Sequence, residues 1–106
     1  MGLIMTHRYT NKHGAFEISS LPGQSQIAVC HSFFVHENER GHGHAHTLKA
    51  QQRHTLTGLH YDYAICTVSG GNAAQKAVLA QSGWTKLAEF PNHRSSETTE
   101  IWGAKP

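Results

Sequence analysis

No run of apolar residues in the chain approaches the roughly 18 needed for a membrane-spanning helix, so no membrane segment is expected. The N-terminus lacks a charged segment followed by an apolar stretch, and no secretory signal is expected. There are only two cysteines, Cys30 and Cys66, both inside apolar runs. That excludes a disulfide scaffold and reads as reduced thiols of a cytoplasmic protein. Charged residues make up 15% of the chain and the formal net charge is only +2, too little and too scattered for a nucleic-acid footprint. No repeat or low-complexity tract is visible. Met1, Gly2 and Thr6 fit the M-G-x-x-x-[ST] lipidation pattern, which is too short to carry weight. What remains is a chain of 106 residues that reads as one domain, with ten histidines that add positive charge as the medium turns mildly acid.

Residues 1–14 carry no period and read as an arm or an edge strand. Ala15 to Ser20 alternates apolar and polar side chains up to the turn Leu21-Pro22-Gly23, and Gln26 to Val35 follows as a second strand, which predicts a hairpin. In that second strand Ile27, Val29, His31, Phe33 and Val35 share one face, and Ala28, Cys30, Ser32 and Phe34 the other. Both are largely apolar, which predicts a central strand with helices on both faces of the sheet. Gly43 to about Leu56 reads as a helix, Tyr61 to Val68 as a strand, and Ala73 to Gln81 as a second helix stopped by Gly83. Thr85 to Phe90 and Glu97 to Trp102 complete the series as strands. The strand–helix–strand succession makes the strands ending at Val35 and starting near Tyr61 parallel neighbours or near neighbours. Their carboxyl ends then share one edge, where open α/β sheets bind ligands.

The loop leaving the first of these strands carries the chemistry. In Arg40-Gly41-His42-Gly43-His44-Ala45 the two glycines let successive backbone N–H groups turn inward, and the following helix adds its unpaired first-turn donors and positive end. A diphosphate suits such a cradle. No G-K-[ST] follows, so this is not a Walker loop, and the spacing differs from the dinucleotide fingerprint.

This stretch resembles the Q/R-x-x-G-x-G/A signature of the GNAT superfamily of N-acetyltransferases. A second half, Cys66-Thr67-Val68-Ser69-Gly70-Gly71-Asn72 with the helix to Gln81 and Gly83-Trp84, is similar to that family's later strand, Asn-initiated helix and terminal G-F/W. The resemblance covers roughly residues 15 to 104. It implies an α/β fold with a mixed, mostly antiparallel sheet, a central splayed parallel strand pair and two main helices. Acetyl-CoA is the implied cosubstrate, with its pantetheine arm added to the sheet in the splay. Main-chain groups of Phe33 and Val35 would bind the pantetheine amides, Arg40, Gly41, His42, Gly43, His44 and Ala45 the pyrophosphate, and Asn72 the arm near the thioester. An N–H near Phe33 or Phe34 would face the thioester carbonyl as an oxyanion donor. Lys76, with Arg53, is a candidate for the adenosine 3′-phosphate.

Two departures from the family stand out. The helices that usually precede the first hairpin are missing or reduced to an arm, which implies an acceptor side that is open or closed by a second subunit. The position where many relatives carry a proton-donating tyrosine is Leu79. Tyr61, Tyr63, Ser69, Cys66 or water could replace it, and Tyr63 and Ser69 are taken as candidate catalytic residues. His31 is the candidate base, because it is read as sharing a strand face with Phe33 and Val35 and because imidazole suits proton transfer near neutrality. The histidines at 36, 42, 44 and 46 invite a metal, but on a helix His42 and His46 share a face while His44 points away, so no metal site is expected. Cys30 and Cys66 read as small core residues rather than nucleophiles. The reading is an enzyme moving an acetyl group from acetyl-CoA to an amine, macromolecular or small. Its alternative is a catalytically weak module of the same fold that binds CoA or a partner protein.

Overall fold

The computed structural model describes residues 6–106; Met1 and Gly2 of the lipidation pattern lie outside the described residues. Thr6–Thr10 forms edge strand β1, so this part of the N-terminal segment is a strand rather than a loose arm. Strands β2 (Gly14–Leu21) and β3 (Gln24–Val35) form the expected hairpin, closed by Pro22 and Gly23. After β3 come one 3₁₀ turn (Glu37–Glu39), helix α1 (His44–Gly58), β4 (Tyr63–Ser69), α2 (Ala73–Gln81), β5 (Thr85–Pro91) and β6 (Thr98–Ala104). The sheet order is β1-β2-β3-β4-β6-β5. β3 and β4 are the parallel pair, and every other pairing is antiparallel.

The parallel pairing is short. Ile27, Ala28 and Val29 face Tyr63, Ala64 and Ile65, and the ladder then ends. Beyond it β3 stays bonded to β2, and β4 to β6, so their facing edges diverge toward Val35 and Val68. Backbone donors and acceptors on those edges are left for another extended chain, the arrangement that strand addition requires.

A bulge in β3 overturns the expected assignment of its faces. Ala15 faces Phe34 but Glu17 faces His31, so β3 holds one residue more than β2 over this stretch, and Ser32 takes the left-handed conformation with φ 54°. A bulge of this kind shifts the side-chain alternation by one. Ala28 and Cys30 are buried before it; after it Val35 is buried and Phe33 packs against the core, while Phe34 is exposed. His31 therefore faces away from Phe33 and Val35 rather than sharing their face.

Among the described residues, helices cover only one face of the sheet, against the expectation of two covered faces. Phe16, Ile18, Ala28, Cys30, Ala64, Cys66 and Val68 of the strands join Leu48 and Leu56 of α1 and Leu79 of α2 in a single core. Full burial of each large apolar side chain here stabilises by about 1.5–3 kcal/mol. The opposite face carries Ile27, Val29, Ile65 and Ile101, none of them fully buried. Arg53 of α1 ties the helices to the end of the chain, its guanidinium donating to Ser82 O at 2.7 Å and Lys105 O at 2.6 Å. These bonds engage both terminal nitrogens of the side chain expected near the adenosine 3′-phosphate.

Candidate functional site

The bend between β3 and α1 is shaped by two glycines in the left-handed region, Gly41 at φ 84° and Gly43 at φ 78°. A Cβ on either would meet open space, so backbone conformation rather than crowding selects glycine there. Gly43 is the N-cap of α1 and supplies no side-chain cap. Among the described residues, the backbone N–H groups of Gly41, His42, Gly43, His44, Ala45 and His46 donate to no protein acceptor. Thr47 is the first to find one, Gly43 O at 3.3 Å. Six consecutive unpaired donors at the positive end of a 15-residue helix make an anion cradle.

The cradle opens into a cavity of about 640 Å³ between the first turns of α1 and the Ala74–Gln81 face of α2. Of the expected CoA-binding residues, Phe33, Phe34, Val35, Arg40, Gly41, Gly43, His44, Ala45 and Asn72 line it. His42 does not. Arg40 Nε donates to Val35 O at 3.1 Å, so this carbonyl, one of the groups expected to meet the pantetheine amides, already has a partner. Asn72 caps α2, its Oδ1 accepting from Gln75 N–H at 3.1 Å, and its amide group remains at the cavity wall. Lys76 does not line it either. Its ammonium donates to Glu100 Oε2 at 3.2 Å, an ion pair within the protein. The Trp102 indole N–H donates to the same buried carboxylate at 2.9 Å. That bond first, and Lys76 after it, hold Glu100 below the usual carboxylate range.

A second cavity of about 330 Å³ lies where β3 and β4 diverge and shares Phe33, Asn72 and Gln75 with the first. Ser69 and His31 line it. Tyr63 does not: its hydroxyl and ring lie within 2.7 Å of where a Cβ on Gly103 would stand, at the closed end of the parallel pair. Tyr63 is thus remote from the splay and unsuited to protonate a leaving thiolate there. Leu79 is fully buried in the core. The two His31 ring nitrogens lie 2.8 Å from the Ser19 hydroxyl and 3.1 Å from that of Ser32.

The floor of this second cavity was not anticipated. It contains Lys49 and Gln52, both buried, and the thiols Cys30 and Cys66. Lys49 Nζ sits 4.3 Å from the centre of the Trp84 ring and 4.8 Å from that of Phe33, and burial lowers its pKa. Neither polar atom of the Gln52 amide has a partner among the described residues. Burial pushes the Cys30 thiol up to about 12 and raises Cys66 as well, which disfavours the thiolate in both. The spacing of Leu48, Lys49, Gln52 and Leu56 on one helical face is the signal that could have placed these polar residues inside.

No family model matches the chain, and no curated protein matches it either. Its backbone does match solved structures. An acetyltransferase assigned to the GNAT family from Desulfovibrio desulfuricans superposes with a TM-score of 0.82 at 14% identity, over 94% of this chain and 68% of that one. The ribosomal-protein-S18-alanine N-acetyltransferase of Escherichia coli gives 0.77 at 14% identity, over 96% and 68%. A Bacillus subtilis acetyltransferase in complex with CoA gives 0.77 at 12% identity, over 92% and 73%. The chain spans 63% to 73% of the length of such structures. It has the GNAT fold, with the mixed sheet, parallel pair and two helices expected from its motifs.

Proposed function

We propose, starting from the GNAT fold of this chain, that it binds acetyl-CoA and transfers the acetyl group directly to an amine. The observation that carries this reading is the row of unpaired N–H groups from Gly41 to His46, opening into a cavity that shares Phe33, Asn72 and Gln75 with the one at the splay. The pyrophosphate would accept from these amides, and the pantetheine arm would lie against the free edge of β3. The amine would approach from the sheet face that carries no helix. As its nitrogen bonds to the thioester carbon, a backbone N–H at Phe33 or Phe34 donates to the developing oxyanion. His31 takes the proton from the nitrogen through the Ser32 hydroxyl, the tetrahedral adduct collapses, and the C–S bond breaks to release CoA thiolate. Ser69 or water protonates it. The acceptor is an amine on a protein or a small molecule, and the uncovered face fits the larger of these.

Acetyl-CoA is expected to raise the melting temperature, and Gly43→Glu is expected to abolish that rise while the fold persists. An undiminished rise in the variant would remove the cradle from the site. Transfer is read by thiol release with a panel of amines. His31→Ala should lower the rate and flatten its pH profile. Leu79 in the core and Tyr63 away from the splay favour a second reading, a module that binds CoA without efficient transfer. Ligand-induced stabilisation with no acetylated product would select it.

A further inference from the structure

We infer that His13, Glu39 and His44 form a binding site for one divalent transition-metal ion of borderline softness, such as zinc. The three come from separate elements, which is why loop spacing alone did not reveal them. His13 lies in the β1–β2 turn, where Asn11 Oδ1 accepts from its N–H at 2.8 Å, and its own carbonyl accepts from His36 N–H at 2.8 Å. Those two bonds fix the turn against the bend that carries the other two residues. Glu39 ends the 3₁₀ turn and His44 begins α1.

The geometry suits a tetrahedral ion. Glu39 Oε2 is 3.0 Å from His13 Nδ1 and 3.3 Å from His44 Nε2, and all three ligand atoms lie within 4.8 Å of one another. Metal bonds of about 2.0–2.1 Å place neighbouring tetrahedral ligand atoms about 3.3 Å apart. The imidazole rings stack with centres 3.6 Å apart, so binding needs only a turn of the rings toward a common point. The His42 ring centre lies 6.0 Å from that of His44, close enough to add a donor by a rotamer change. Two imidazoles and one carboxylate favour zinc, nickel or copper over magnesium or calcium, which take oxygen sets. Glu39 and His44 also line the cavity beside the unpaired amides, so a fourth position is available to water or a phosphate oxygen. The metal assignment itself does not depend on acetyl transfer.

The test is calorimetric titration of zinc into metal-stripped protein carrying no polyhistidine tag. One equivalent should bind with release of protons. His13→Ala, Glu39→Ala and His44→Ala should each weaken binding at least tenfold, while His54→Ala, on the exposed side of α1, should not. Absence of one-to-one binding, or equal affinity in His13→Ala, overturns the site. Should a variant fail to fold by circular dichroism, the cobalt(II) spectrum of the unaltered chain decides. Intense four-coordinate bands support the site, and weak six-coordinate bands overturn it.

Discussion

At the scale of single residues, the floor of the second cavity is where this chain departs most from an apolar core. Gln52 is fully buried with neither amide atom bonded to the described protein, and a buried polar group without a partner costs about 1–3 kcal/mol. Gln52→Leu should therefore stabilise the free protein by about 1 kcal/mol, a rise of about 4–8 °C in a domain of this size, read by thermal melting. A fall instead would mean that the amide is bonded in solution. Glu100 gives the pH prediction. Its carboxyl is held below its ordinary value of 4.5 by the Trp102 N–H first and by Lys76 after it. The stability it contributes is full above that ordinary value and is lost as pH falls through the lowered one. Glu100→Gln should thus flatten the loss of stability on acidification, as measured by melting temperature across the acid range.

At the scale of elements, the two helices and the hairpin were legible because their signals are local. Ala73 to Gln81 was readable from Asn72 before it and Gly83 after it, and the helix has those bounds. Asn72→Ala should cost about 1 kcal/mol through loss of the cap, seen in chemical unfolding, and should also weaken CoA-induced stabilisation. The β3 bulge was not legible. Alternation carried straight through Ser32 places His31 beside Phe33, and nothing in the residue types announces that Ser32 turns left-handed. The sense in which His31 points depends on pairing with β2, a tertiary fact. The ion pair of Lys76 was hidden for a similar reason: its helix position was readable, but its partner Glu100 lies on β6. His13 reaches Glu39 and His44 only through the folded turn, beyond the reach of any spacing argument.

At the scale of the whole molecule, one sheet face holds the helices, the core and the first cavity, and among the described residues the other presents Ile27, Val29, Ile65 and Ile101 without a covering layer. This division follows from two crossovers, α1 and α2, that pack into one core on the same side. The proposed transfer uses it by bringing the cofactor to the splay from the helix side and the acceptor from the other. Acetyl-CoA binding as proposed depends on the bend holding a diphosphate with main-chain hydrogens. The most direct measurement is amide-resolved NMR of the labelled chain titrated with CoA and, separately, with dephospho-CoA. Saturable shifts are expected at Gly41, Gly43, His44 and Ala45 with both ligands, since both carry the pyrophosphate. Binding that leaves those amides unmoved, or no binding at all, would contradict it.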